Sequence, residues 1–253
     1  MLAVKIKTAS SPASTDLRAD VHKACSACSL SELCLPMGLN HQDLERMDSI
    51  VARSEPMHEG DHLFRVGDGF KSIYAVRVGS YKSYTVDSEG REHVLGFHLP
   101  GELLGLDAIY PGQHRCNAIA LDTAAVCVLP YEDLDRLAGQ IDGLRGQLLR
   151  LMSKDIADAA TLAGDFTAEE RIAGFLTGLS KRFHMRGFSP TEFSLTMSRR
   201  DIANYLRMAP ETVSRVFARF EEDKLIAVER RELHLLSLPK LLDMAHCMGE
   251  MHA

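Results

Sequence analysis

The chain is 253 residues long, with 45% hydrophobic residues, 25% charged residues and a formal net charge of −6. Those values suit a folded globular protein of one or two domains, long enough to bury a core without disulfide staples. No stretch approaches the roughly 18 consecutive apolar residues of a membrane span, and the acidic balance excludes a histone-like coating protein.

Residues 1–24 are rich in Ser, Ala and Thr and show no apolar period, so a disordered tail is expected there. No apolar core precedes a small-residue cleavage site, which predicts a cytoplasmic chain. In that reducing compartment six cysteines read as metal ligands or redox groups rather than disulfides. Residues 25–40 carry Cys25, Cys28 and Cys34, three thiols within ten residues. Such spacing suits a loop wrapped around one inorganic centre, with a fourth ligand from Cys116, Cys127 or Cys247. Spacing alone neither chooses among those three nor separates a four-cysteine zinc site from an iron–sulfur cluster.

Residues 41–140 change in texture. Short runs such as Ser72–Val78, Ser80–Val86 and Ala124–Leu129 mix β-branched, aromatic and apolar residues between Gly- and Pro-rich turns. That punctuation predicts a β-barrel or jelly roll. Tyr131–Leu137 then reads as a short helix, and residues 141–164 as a long one. Arg145, Leu149, Met152, Ile156, Ala159 and Ala163 step by four and three along it, the spacing of a helix–helix seam between two copies.

Residues 165–253 read as a helix (Thr167–Arg186), a loop, two helices and a hairpin. Residues 181–219 carry eight basic and three acidic side chains, a local excess suited to a nucleic-acid module. Ser198 and Asp201 form a cap for a helix ending near Arg207, and Pro210 opens the next one, the pattern of a helix-turn-helix. Val213, Val216, Phe217 and Phe220 fall on one face of that second helix. The other faces present Glu211, Thr212, Ser214, Arg215 and Arg219, candidate DNA contacts together with Arg199. The following hairpin reads as the wing of a winged helix. The eleven histidines are scattered and no nucleophile–base grouping stands out, so no catalysis is expected.

Several stretches together resemble one family: Cys25–Pro36, Gly96–Glu102, Ala125–Pro130, Leu149–Ser153, Ala168–Arg171, Arg186–Pro190 and Glu211–Arg215. From about Cys25 to Leu236 the chain is similar to the bacterial fumarate and nitrate reduction regulators of the cyclic AMP receptor protein superfamily. The resemblance implies an α+β chain: an N-terminal jelly-roll β-barrel sensor domain, a long dimerisation helix and a C-terminal winged helix-turn-helix. It implies a [4Fe–4S] cluster on Cys25, Cys28, Cys34 and Cys127, and a homodimer that oxygen dissociates. It also implies that Glu211, Ser214 and Arg215 read a palindrome resembling TTGAT…ATCAA, with RNA polymerase as the further partner. Three departures stand out. On the dimer stripe the seam position is Ala159, with the acidic Asp155 and Asp158 beside it. Arg207-Met208-Ala209 replaces the usual glycine-containing turn, and the surroundings of Arg115 lack a clear Arg-then-hydroxyl pair for a cyclic nucleotide.

Overall fold

The computed structural model describes residues 24–245. The expected N-terminal tail, up to residue 23, and Cys247 lie outside the described residues. A 3-10 turn at Cys25–Ala27 leads through a string of turns to α1 (His41–Ile50), whose first turn is capped by the Asn40 side chain accepting from Asp43 N. Eight strands follow: β1 (Ala52–Arg53), β2 (His62–Phe64), β3 (Ser72–Val78), β4 (Tyr81–Val86), β5 (Glu92–His98), β6 (Leu103–Leu104), β7 (Asn117–Ala120) and β8 (Ala125–Pro130). They form two antiparallel sheets, ordered β1-β8-β3-β6 and β2-β7-β4-β5. The expected barrel is therefore a jelly-roll-like sandwich of two separate sheets, because the shortness of β1, β2 and β6 leaves the edges unjoined.

Strand alternation explains how this sandwich is used. On β3, Ile73 and Ala75 face one core and Val76 the other. Val76, Val126, Tyr81 and Ala118 fill the space between the sheets. Ile73, Ala75 and Leu129 pack outward against α1 and the cysteine segment. Gly79 makes the β3–β4 turn at φ +71°, where a Cβ would lie 2.5 Å from the Thr123 carbonyl oxygen.

Helices α2 (Tyr131–Ala138) and α3 (Asp142–Leu162) lead out of the sandwich, close to the expected bounds. Leu144, buried near the start of α3, and the half-buried Leu148 and Leu151 belong to the same core as Cys25, Cys34, Leu35 and Cys127. The cysteine segment and the start of the long helix thus stand on common ground.

The C-terminal module comprises α4 (Ala168–Met185), β9 (Glu192–Ser194), α5 (Arg199–Tyr205), α6 (Pro210–Glu222), β10 (Ile226–Glu229), β11 (Glu232–Leu235) and α7 (Leu238–Ala245). Capping boxes start α4 (Thr167 with Glu170) and α5 (Ser198 with Asp201). Strand β9 was not foreseen. It pairs with β11 through Phe193↔Leu233 and turns the predicted hairpin into a three-stranded wing. No helix among the described residues is long and apolar enough to cross a membrane.

Candidate nucleic-acid interface and cysteine site

Helix α5 ends at Tyr205, two residues before the sequence suggested, because Arg207 adopts φ +57° and breaks the helical path. Pro210 then occupies the first turn of α6, as expected. Val213, Val216, Phe217 and Phe220 are all buried, which fixes the rotation of α6 on the module. Glu211, Ser214 and Arg215 are left exposed at its N-terminal half, with Thr212 half-buried. Ser214 Oγ also donates to the Pro210 carbonyl at 3.0 Å.

The other two candidate contacts are engaged. Arg219 pairs with Glu169 at 3.0 Å and sits 3.8 Å from Asp223. The Arg199 guanidinium lies 3.5 Å above the Phe217 ring, with its buried Nη1 lacking a hydrogen-bond partner.

The local basic excess also divides differently from the sequence reading. Arg182 and Arg186 turn away from any DNA face and into the sensor sandwich. Glu102 Oε2 accepts from Arg182 Nη2 at 2.5 Å and Oε1 from Arg186 Nη2 at 2.7 Å. Burial alone would raise the Glu102 pKa, but the two guanidiniums outweigh it and hold the carboxyl well below the usual carboxylate range. Nearby, Lys82 Nζ donates to Asp201 at 2.7 Å and to Glu92 at 2.8 Å, so the residue that caps α5 also ties it to β4. Asn204 completes the join, accepting from Val94 N at 2.6 Å and donating to the Glu92 carbonyl.

The cysteines converge on the outer face of the β1-β8-β3-β6 sheet. Cys25, Cys28, Cys34 and Cys127 line one cavity of about 30 Å³, together with Ala75, Met47, Leu129 and Arg77. Strand pairing places Cys127 there, opposite Arg53 on β1 and Ala75 on β3. Asp48 anchors the segment by accepting from Cys25 N at 3.0 Å while pairing with Arg53. Leu30 N donates to Cys28 Sγ at 3.4 Å, and Arg77 Nη1 does so at 3.2 Å.

Burial first, and the neighbouring acidic groups second, push the Cys25 thiol up to about 12; burial with its neighbouring thiols does the same to Cys34. Burial also raises Cys127, against the opposing pull of Arg77. Sequence spacing grouped the first three thiols, and the fold adds Cys127 to them. Cys116 is elsewhere, with its Sγ 3.5 Å from Asp107, in the core between the two sheets. Among the described residues, no three His, Cys, Asp or Glu side chains come together tightly enough to hold a single metal ion.

Along α3, the seam residues are accessible. Leu149 is 60% exposed and Ile156 70%, Arg145 and Ala159 are exposed and Met152 is half-buried.

Comparison with known proteins bears on the family and on the DNA-binding module. The Crp-like helix-turn-helix domain family matches residues 170–244, and the cyclic nucleotide-binding domain family matches residues 55–140. The transcriptional activator protein Anr of Pseudomonas protegens is 49% identical over 232 residues, 90% of this chain and 95% of its own. The chain belongs to the fumarate and nitrate reduction regulator group of the Crp superfamily. The fumarate and nitrate reduction regulatory protein of Escherichia coli K12 is 45% identical over 224 residues, 87% of this chain and 90% of its own. Among solved structures, FixK2 of Bradyrhizobium japonicum shares 26% identity and a TM-score of 0.70, covering 77% of this chain and 97% of its own. A Crp-family transcriptional regulator of Thermus thermophilus shares 25% identity and a TM-score of 0.60, covering 76% and 97%. This regulator is thus a transcription factor with a Crp-type DNA-binding module, and the relatives are regulators rather than enzymes.

Proposed function

We propose that this regulator is an oxygen-responsive transcription factor whose homodimer binds DNA when Cys25, Cys28, Cys34 and Cys127 hold a [4Fe–4S] cluster. The observation that carries the reading is the common cavity of four cysteines, three from the N-terminal segment and one from β8. The donor set fits the group: four sulfurs, apolar walls from Met47, Val51 and Leu129, and one guanidinium. When bound, the cluster supplies thiolate-held iron that oxygen can oxidise.

The chain's own part is to convert ligation into helix geometry. The segment carrying Cys25 and Cys34 shares a core with Leu144, Leu148 and Leu151 at the start of α3. Ligation orders that segment, and an ordered segment braces α3 from one side. Leu149, Met152, Ile156 and Ala159, with Arg145 at the head of the row, then offer a largely apolar stripe to a second copy. Two copies related by a two-fold axis present two α6 helices to a palindrome of the TTGAT…ATCAA kind. In each half-site Arg215 suits guanine O6 and N7, Glu211 a cytosine amino group and Ser214 a base edge or phosphate. Thr212 and Arg219 lie on the same helix, and Arg199 on α5 stands beside it. RNA polymerase is the further partner at anaerobic-metabolism promoters, and the site of action is the cytoplasm.

The match to the cyclic nucleotide-binding domain family supports a second reading, control by a cyclic nucleotide. Against it, Arg115 is exposed and the neighbouring His114 ring is buried, stacked on Phe64 at 3.7 Å, inside the sandwich. Calorimetry of cluster-free protein with cAMP and cGMP separates the two, and heat of binding there supports the second. The first reading is tested by Cys127→Ser, which should abolish the anaerobic chromophore and operator binding together. Operator binding that survives without the chromophore rejects it.

A further inference from the structure

Arg77 stands out as a buried charged side chain in the middle of a largely apolar strand. It lies within β3, the strand shared by β8 and β6, and its residue is only 8% exposed. Ile73, Ala75 and Arg77 alternate onto the face toward the cysteine segment, so an apolar residue would be the ordinary occupant. The β3–β8 register shifts between Val76 and Val78, which sets Arg77 at an irregularity of the kind that re-aims a side chain. From there its Nη1 reaches Cys28 Sγ at 3.2 Å, and Arg77 forms part of the wall that all four cysteines line.

We propose that Arg77 is a positioning residue for the cysteine-held centre, fixing Cys28 by hydrogen bond and offsetting negative charge on the gathered sulfurs. This rests on the reading that the four cysteines hold an iron–sulfur cluster. Gathered sulfurs in an apolar cavity are poorly solvated, so a buried guanidinium within hydrogen-bonding distance of one of them holds that sulfur in place and offsets part of the negative charge of a loaded centre. Partners of this kind around metal ligands commonly alter metal retention by about 10–100-fold. Cys28 is the ligand on which such help matters most: it sits in a loop, and the contacts to its sulfur come from Leu30 N and from Arg77.

The test uses full-length protein reconstituted without oxygen, as wild type, Arg77→Leu and Arg77→Lys. The iron and sulfide content, the anaerobic rate of iron loss to excess chelator and the reduction potential of the centre are measured. Circular dichroism of the iron-free proteins checks the fold. Arg77→Leu should lose iron about 10–100-fold faster than wild type and show a lower reduction potential, which loss of a merely structural side chain would not produce. Arg77→Lys, which keeps the charge but not the planar fork, should fall between the two. It carries the comparison alone if the leucine variant does not fold. Equal loss rates and equal potentials in fully loaded variants overturn the role of Arg77 and leave the cluster reading standing. A wild type that takes up no iron and sulfide overturns both.

Discussion

Replacing Glu102 by alanine should loosen the whole molecule, not one domain. The carboxylate accepts from Arg182 at 2.5 and 2.9 Å, from Arg186 at 2.7 Å and from Leu99 N at 3.0 Å. Arg182 and Arg186 belong to α4 and its C-terminal cap, at the root of the DNA-binding module, while Glu102 belongs to the sensor sandwich. Both guanidinium side chains are almost enclosed, 10% and 4% exposed, so truncation strands two positive charges out of water. Breaking a buried ion pair in this way costs roughly 3–5 kcal/mol. The Glu102 side chain is itself 24% exposed, which lets water in and favours the lower end, about 3 kcal/mol. For a chain of this size that corresponds to a melting temperature lower by roughly 6–12 °C. Glu102→Gln keeps the volume and part of the hydrogen bonding, and should lose about 2 kcal/mol. The assay is thermal and denaturant unfolding of iron-free protein under reductant, with an Arg182→Ala cycle to isolate the coupling. A shift below about 1 kcal/mol for Glu102→Ala would show that water already carries these charges, and the reasoning would fail.

Four further outcomes are expected. His98 is half-buried, and loss of hydration, aided by nearby Arg182 and opposed by Glu102, lowers its pKa to about 4. The unfolded chain therefore takes up a proton near pH 6.5 that the native state refuses, and stability should fall from there down to about pH 4 by up to about 1.4 kcal/mol per pH unit. Below that, the depressed Glu102 adds a second loss as the unfolded carboxylate protonates first. Denaturation midpoints against pH read this, and His98→Gln should flatten the upper part; an unchanged profile refutes the assignment. Arg207→Gly should stabilise the protein by about 1 kcal/mol, since the φ of +57° suits glycine, and a loss would mean that the arginine side chain holds the turn. Ile156→Asp, at a 70% exposed position, should leave the monomer fold intact yet weaken self-association of cluster-loaded protein in sedimentation; an undisturbed dimer removes this face from the interface. Arg215→Ala should cost about 1–3 kcal/mol in operator binding and relax base preference at one position, whereas retained selectivity reassigns it to phosphate.

What the sequence disclosed was local. Ser198 with Asp201, Pro210 and the stripe from Val213 to Phe220 are features within one turn or two, and each reappears in the fold. Cys25, Cys28 and Cys34 announce a common purpose through spacing alone. Contacts across the chain stayed hidden. Cys127 joins those three because β8 pairs with β1 and β3, a register no spacing rule gives. Arg182 and Arg186 counted toward a basic surface until Glu102, 80 and 84 residues away, drew them inward. Arg77 lies in the run Ser72–Val78, and its sulfur partner is 49 residues distant. Strand β9 is three residues long, too short for any period to show, and exists because β11 lies beside it.

The most direct measurement follows visible absorbance, sedimentation and operator binding in one oxygen-free sample as air is admitted. Colour, dimer and tight DNA binding should disappear together, with iron and sulfide released. Protein that is colourless and iron-free from the start, and still holds its operator with full affinity, would contradict the coupling of the cysteine site to the DNA-binding helices.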